Sequence, residues 1–227
     1  MMTSPKSLLS TLQHSDSFFP SGTTSFSWGM ETLFTEGAVL KSDDIKSIIS
    51  AQLKNRWASL DRGALLAAFD DADDIGKICV IDSIVESHNS STEIREGSHR
   101  AGLALLHVHE KLGTSQAETY KRFVKNKKAF ANQTVMQGFL WAKSGILRNE
   151  AELMSAHGLC IGLLGAAIRL GAIGHINAQL ILRSLHKIIN ELIDKPPPRI
   201  NDLNGFTPES EIAMMRHETA GSRLFAN

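Results

Sequence analysis

The run AELMSAHGLCIGLLGAAIRLGAIG, Ala151–Gly174, carries no charged or polar side chain between Gly158 and Ile168 and shows no polar face. A helix that is apolar all round is buried on all sides, in a protein core or in lipid. Crossing a bilayer takes about 20 consecutive apolar residues. His157 and Arg169 cut this run to roughly half that length, which predicts a core helix. Gly158, Gly162, Gly165, Ala166 and Ala167 are small enough to let neighbouring helices approach closely. That approach has to offset a propensity cost of about 1 kcal/mol per glycine. The helix is expected to stop between Gly171 and Gly174. A second one follows with Ile181, Leu182, Leu185, Ile188, Ile189 and Leu192 on one stripe, ending near Ile193. The remaining helices are expected to pack around this hairpin.

Outward from the hairpin, the same signals recur. On its C-terminal side, Lys195-Pro-Pro-Pro-Arg199 ends helical structure, and Thr207-Pro208 reopens it through Ile212 and Met215. On its N-terminal side, Ser7 is expected to cap a short helix that Pro20 and Gly22 close off. Met30, Leu33 and Phe34 share a face, with Gly37 as a stop. Ser42, Asp43 and Asp44 open a long pattern through Ile45, Ile49, Leu53, Trp57 and Leu60. The cluster Asp70, Asp71, Asp73 and Asp74 lacks the glycine turn and closing Glu of a calcium loop, so it reads as helix capping. Further periodic runs cover Ile75–Val85, Ile94–Leu112 and Val135–Leu140, and Ser115 to Glu118 reads as a capping box. No stretch shows sustained period-two alternation. The expectation is an all-α, single-domain bundle of roughly ten helices over residues 1–227, built around the small-residue-rich hairpin.

Charge restricts the function classes. Lys and Arg number 24 and so do Asp and Glu, so the whole-protein field favours neither nucleic acid nor anionic lipid. Cys79 and Cys160 sit in apolar helical contexts and read as core residues in a reducing compartment. The N-terminal residues lack a long apolar signal region, so a cytoplasmic protein without a membrane span is expected.

Catalytic and metal motifs are missing from the local sequence. None of the nine histidines lie three or four apart, the spacing that puts two ligands on one helical face. There is no Walker-type phosphate loop, no dinucleotide fingerprint and no nucleophile elbow. No metal or cofactor site is therefore expected. Arg95, Glu96 and Ser98 read as a structural polar network between helices. The rival reading is a helical enzyme with a pocket near Arg95, Glu96 and His99. The basic run Lys121–Lys128 gives a weaker RNA-binding alternative, and it reads first as a solvated helix face. Two aromatic segments fit contact roles better. They are Phe18, Phe19, Phe26 and Trp28 around Pro20, and Leu224-Phe225 near the last residue, and each docks either on the chain itself or on a partner.

Four stretches, in order along the chain, resemble the urease accessory protein UreF family. The first matches at Pro20, Gly22, Phe26, Ser27, Gly29 and Glu31, with Thr24 where the family commonly has an aromatic. The second matches at Arg95, Glu96, Ser98 and Gly102. The third matches at Gly138, Arg169, Leu170 and Gly174, with Asn132 where a His often stands. The fourth matches at Met215, His217, Arg223, Leu224 and Phe225. The resemblance implies an all-helical cytoplasmic chaperone with no catalysis of its own. Its implied partners are a UreD/UreH-type accessory protein, a UreG-type GTPase and apo-urease, to which the assembly delivers nickel. It also implies a homodimer. On that reading Pro20, Gly22, Phe26, Ser27 and Glu31, with Met215, His217, Arg223, Leu224 and Phe225 of a C-terminal segment spanning 200–227, bind the partner.

Overall fold

The computed structural model describes residues 4–16, 18–21, 26–38, 41–217 and 224–225, and of His217 only the backbone. Within them the chain is all-α, as its periodicity predicts. Helices α1 (Pro5–Ser15), α2 (Met30–Thr35) and α3 (Ser42–Gln52) come first. A π-helical segment, Leu53–Asp61, runs straight on into α4 (Arg62–Asp70). Then follow α5 (Ile75–His88), α6 (Thr92–Lys111), α7 (Ala117–Lys125) and α8 (Gln133–Lys143). The hairpin is α9 (Arg148–Arg169) and α10 (His175–Ile193), and α11 (Pro208–His217) completes the order.

Apolar burial divides into two large clusters, and the π segment contributes to both. One gathers Leu60, Ile78, Val85, Leu106, Tyr120, Met136 and Phe139 from the π segment and α5–α8. The other gathers Met30, Ile45, Leu53, Trp57, Cys160, Leu163, Leu185 and Ile189 from α2, α3, the π segment, α9 and α10. The hairpin is therefore the wall of the second cluster.

The most extensive helix contacts are made by α8, against α4 and α6, and glycines permit them. A β-carbon on Gly138 would lie 2.1 Å from the Leu65 carbonyl oxygen, so α4 and α8 meet backbone to backbone. The hairpin glycines behave differently from expectation. Nothing lies within 4 Å of a β-carbon placed on Gly158, Gly162 or Gly165. Gly158, Ile161 and Arg169 are exposed, so α9 turns its small-residue stripe outward and is not buried on all sides. The apolar composition of α9 is real, but its residues divide between a packed face (Ala156, Cys160, Leu163, Ala167) and this open one. α9 alone among the described helices is long and apolar enough to cross a membrane, and 56% of that window is buried inside the fold.

Two caps also differ from expectation. Ser4, not Ser7, caps α1, accepting from the Ser7 amide, and the Ser7 hydroxyl donates instead to Glu150. The Ser115 box does not form. α7 begins after Gln116, which takes a left-handed backbone without a side-chain cap. Asp74 does cap α5, accepting from the Lys77 amide at 3.1 Å.

The π segment has a packing consequence. Its wider hydrogen-bond pattern interrupts the α ladder. The Asn55 and Ser59 carbonyls accept from the Phe206 and Asn204 amides at 2.9 and 3.0 Å. The chain returning from Pro196-Pro197-Pro198 thereby seats on the segment. Arg62 secures the same return. Its guanidinium pairs with Glu152 and donates to the carbonyls of Leu192, Ile193 and Lys195, closing the C-terminal end of α10.

Candidate partner-binding site

The head and tail of the chain meet. Trp28 and Gly29 both take left-handed backbone (φ 55° and 81°), which turns the chain into α2. Gly29 is needed there twice over, because a β-carbon would also lie 2.8 Å from the Ser210 carbonyl oxygen of α11. This close approach seats α11 on α2, with Ala213 and Met214 buried at the contact and Arg216 paired to Glu36 at 3.2 Å. Glu31, in the first turn of α2, is buried, and its two carboxylate oxygens accept from the Leu224 and Phe225 amides at 2.7 and 3.2 Å. The Phe225 ring is buried beneath the Arg169 guanidinium, 4.3 Å from the ring centroid. Phe26 is buried against Trp28, with Arg100 5.4 Å above its face, and Ser27 is fully buried.

Of the residues expected to form a contact surface, Phe26, Ser27, Glu31, Leu224 and Phe225 are thus brought together. Leu224 and Met215 face solvent there, at 63% and 44% exposure. Pro20 is exposed, next to a buried Phe19. Gly22, Thr24, Arg223 and the His217 side chain lie outside what is described. The tail therefore docks on its own chain through Phe225 and leaves Leu224 outward. Sequence reasoning did not single out Arg100 or Ser210. Arg169 carried only a weak signal, as a lone cation ending an apolar helix.

Arg95, Glu96 and Ser98 do not form one cluster. Arg95 donates to the Asn89 and Ser90 carbonyls and lies 3.9 Å from Glu86. Glu96 points to solvent and reaches only Arg100, at 3.9 Å. Ser98 is buried and accepts from the Gln133 amide. His99 bonds Glu86 at 2.7 Å. The buried network centres instead on Asp82 and Asn132. Asp82 accepts from the Tyr120 hydroxyl, from the amides of Phe130, Ala131 and Asn132, and from the Asn132 side chain, all within 2.7–2.9 Å. The Asn132 side-chain oxygen Oδ1 accepts from the Asn89 side-chain amide, and Asn89 Oδ1 accepts from Arg56. Burial, with the Asp82 carboxylate next, pushes the Tyr120 hydroxyl far above its ordinary pKa.

A groove of about 450 Å³ runs from α1 along the open face of α9 and is mostly apolar. Trp57, Trp141, Met154 and Gly162 line it, with Arg56 and Asp61 among its polar groups. Burial raises the Asp61 carboxyl above the usual range, opposed by Arg56 at 3.6 Å. Neither Arg95, Glu96 nor His99 lines this space. Among the described residues no three His, Cys, Asp or Glu side chains are placed to hold a metal ion. Cys79 and Cys160 are both free, and burial pushes the Cys160 thiol up to about 12. In the basic run, Lys121 pairs with Glu110, while Arg122 and Lys125 are exposed, as in a solvated helix face.

The head-to-tail junction is built from two of the four stretches on which the family resemblance rests. The family model for UreF matches residues 39–186. The chain is 33% identical to the urease accessory protein UreF of Trichodesmium erythraeum, over 96% of each chain. This chain belongs to the UreF family. It is also 27% identical to UreF of Bacillus sp. strain TB-90, covering 96% of this chain and 98% of that one. For UreF of Yersinia pseudotuberculosis the identity is 29%, covering 97% and 98%. It is thus a urease accessory protein by family. Asp82 and Asn132, which carry the buried network, fall within the matched region.

Proposed function

We propose that this chain is a non-catalytic maturation scaffold of the cytoplasm. With a UreD/UreH-type partner it recruits a UreG-type GTPase and regulates nickel delivery to apo-urease. The observation that carries this reading is the Glu31 carboxylate gripping the Leu224 and Phe225 amides. It brings together the two segments this reading assigns to the partner, with α11, Leu224 and Phe225 on one side and Phe26–Glu31 on the other. Leu224 and Met215 are the apolar groups that surface offers. The outward stripe of α9, with Ile161 between Gly158 and Gly162, supports a homodimer, since small residues admit a second helix at close range.

The test is deletion of the residues after Arg216. The truncated chain is expected to fold with unchanged helicity, to lose capture of the UreD/UreH-type subunit, and to fail to activate urease in a host lacking its own copy. Capture and activation that survive the deletion would overturn the assignment of the tail.

A further inference from the structure

Helix α1 is attached to the body in an inverted way. Its inner face is polar. The Ser7 and Thr11 hydroxyls both donate to Glu150, and the Ser10 hydroxyl donates to the Ser144 carbonyl. Its outer face carries Leu8, Leu9 and Leu12, all exposed, Leu9 at 68%. Apolar burial therefore does little to hold α1, and the ring cluster at its C-terminal end becomes decisive. There His14 stacks on His109 of α6, centroids 5.0 Å apart, and Phe19 closes over both rings at 4.7 and 6.0 Å.

The protonation state of this pair follows from its partners. The His14 Nδ1 lies 2.7 Å from the Ser10 carbonyl oxygen, which can only accept, so that nitrogen carries the hydrogen and Nε2 the lone pair. The His109 Nδ1 is engaged by the Thr114 hydroxyl at 2.9 Å. The Nε2 atoms of both rings are buried and find no hydrogen-bond partner among the described residues. A proton taken up by His14 would therefore sit on a nitrogen with no acceptor, against a second imidazole. Charge in such a place is strongly disfavoured. The neutral Thr114 and Ser144 hydroxyls face His109 at 2.9 and 3.5 Å, and Asp16 just past α1 shares the groove wall with His14. The charged group that α9 sets against α1 is Glu150, which is occupied by the Ser7 and Thr11 hydroxyls and the Leu147 amide.

We propose that protonation of the His14–His109 stack undocks α1, so that mild acid releases residues 4–16 and loosens the wall of the groove formed by His14, Ser15 and Asp16. Burial lowers the proton affinity of both rings, consistent with a docked arm at neutral pH.

Hydrogen exchange of the α1 amides, corrected for intrinsic rate and referred to α10, is the direct readout. Between pH 7.5 and 5.0 the wild-type α1 rate is expected to rise at least tenfold. In His14→Phe, which keeps a ring in the stack, it is expected to rise less than threefold. Glu150→Gln is expected to raise exchange at both pH values while keeping the pH response. A rise that persists unchanged in His14→Phe, or disappears in Glu150→Gln, would overturn the proposal. Should His14→Phe not fold, NMR titration of the two imidazoles in the wild type replaces it. Midpoints below 6 that coincide with the exchange rise support the proposal, and ordinary midpoints or a rise that ignores them overturn it.

Discussion

The carbonyl oxygen of Ala131 lies 1.8 Å from the position a β-carbon on Gly102 would occupy. Ala131 itself holds a left-handed backbone, φ 63°, because the Asp82 carboxylate fixes the amides of Phe130, Ala131 and Asn132 in sequence. Gly102 is thus the space into which the turn before α8 is pressed.

Gly102→Ala is expected to destabilise the chain by about 3 kcal/mol, since backbone on one side and a clamped turn on the other leave nowhere for a methyl group. Gly158→Ala, on the open face of α9, is expected to stabilise by about 0.5–1 kcal/mol through helix propensity alone. Urea midpoints of the two variants at protein concentrations low enough to exclude association check both. A destabilising Gly158→Ala would mean that the stripe is packed in the isolated chain.

Asp82→Ala strips several buried donors of their acceptor and is expected to cost about 3–5 kcal/mol. Tyr120→Phe removes one donor and leaves the carboxylate otherwise satisfied, at about 1 kcal/mol. In a double-mutant cycle the Tyr120→Phe effect should shrink towards zero on the Asp82→Ala background, and full additivity would deny the coupling seen in the geometry.

Acid should weaken the whole fold through His109. Burial, with His14 second, lowers its pKa from 6.5 to about 4, so the folded chain keeps the ring neutral while the unfolded chain takes up a proton near pH 6.5. The unfolded state then binds more protons below pH 6.5, and stability falls as pH falls, levelling off near pH 4. At about 1.4 kcal/mol per pH unit, going from pH 6.5 to 5 removes up to about 2 kcal/mol while α1 stays docked, and less once its release lets the ring protonate in the folded chain. Chemical denaturation of the wild type and His109→Gln across that range measures it, and the variant should show a flatter profile.

Arg62→Lys should fail to rescue Arg62→Ala. The guanidinium serves Glu152 and three carbonyls at once, and a lysine ammonium has neither the reach nor the planar fork to do so. Both substitutions are expected to cost about 3 kcal/mol or more, because Glu152 is left buried without its cation. Thermal melts that separate the two variants widely would contradict this.

Much of this was legible in the sequence through periodicity. The helices around Ile45–Leu60, Ile75–Val85, Ile94–Leu112 and the 148–193 hairpin stand where their apolar spacing put them. The outward face of α9 was not legible, because composition shows that Gly158, Ile161 and Gly162 are compatible with packing but not whether a neighbour is present. Hydrogen bonding over long sequence separations was equally hidden. Asp82 lies on the buried side of an apolar pattern with Ile78 and Val85, and that alone signals a carboxylate in need of partners, yet Tyr120 comes from α7 and Asn132 from the turn before α8. The π segment left no trace, since its residues Leu53, Trp57 and Leu60 fit an α pattern equally well. The head and tail motifs pointed to a contact surface, and the structure shows the two segments joined to each other through Glu31.

The backbone contact of Gly138 with Leu65 locks α8 and α4, which both line the first apolar cluster, into one slab. Sliding of α8 along α4 would drive a carbonyl into Cα, so these two helices must travel together. On the proposed function, a change of shape on partner binding is expected at the periphery, in α1, α2 and α11. The interior acts as a rigid chassis for parts that give way around it.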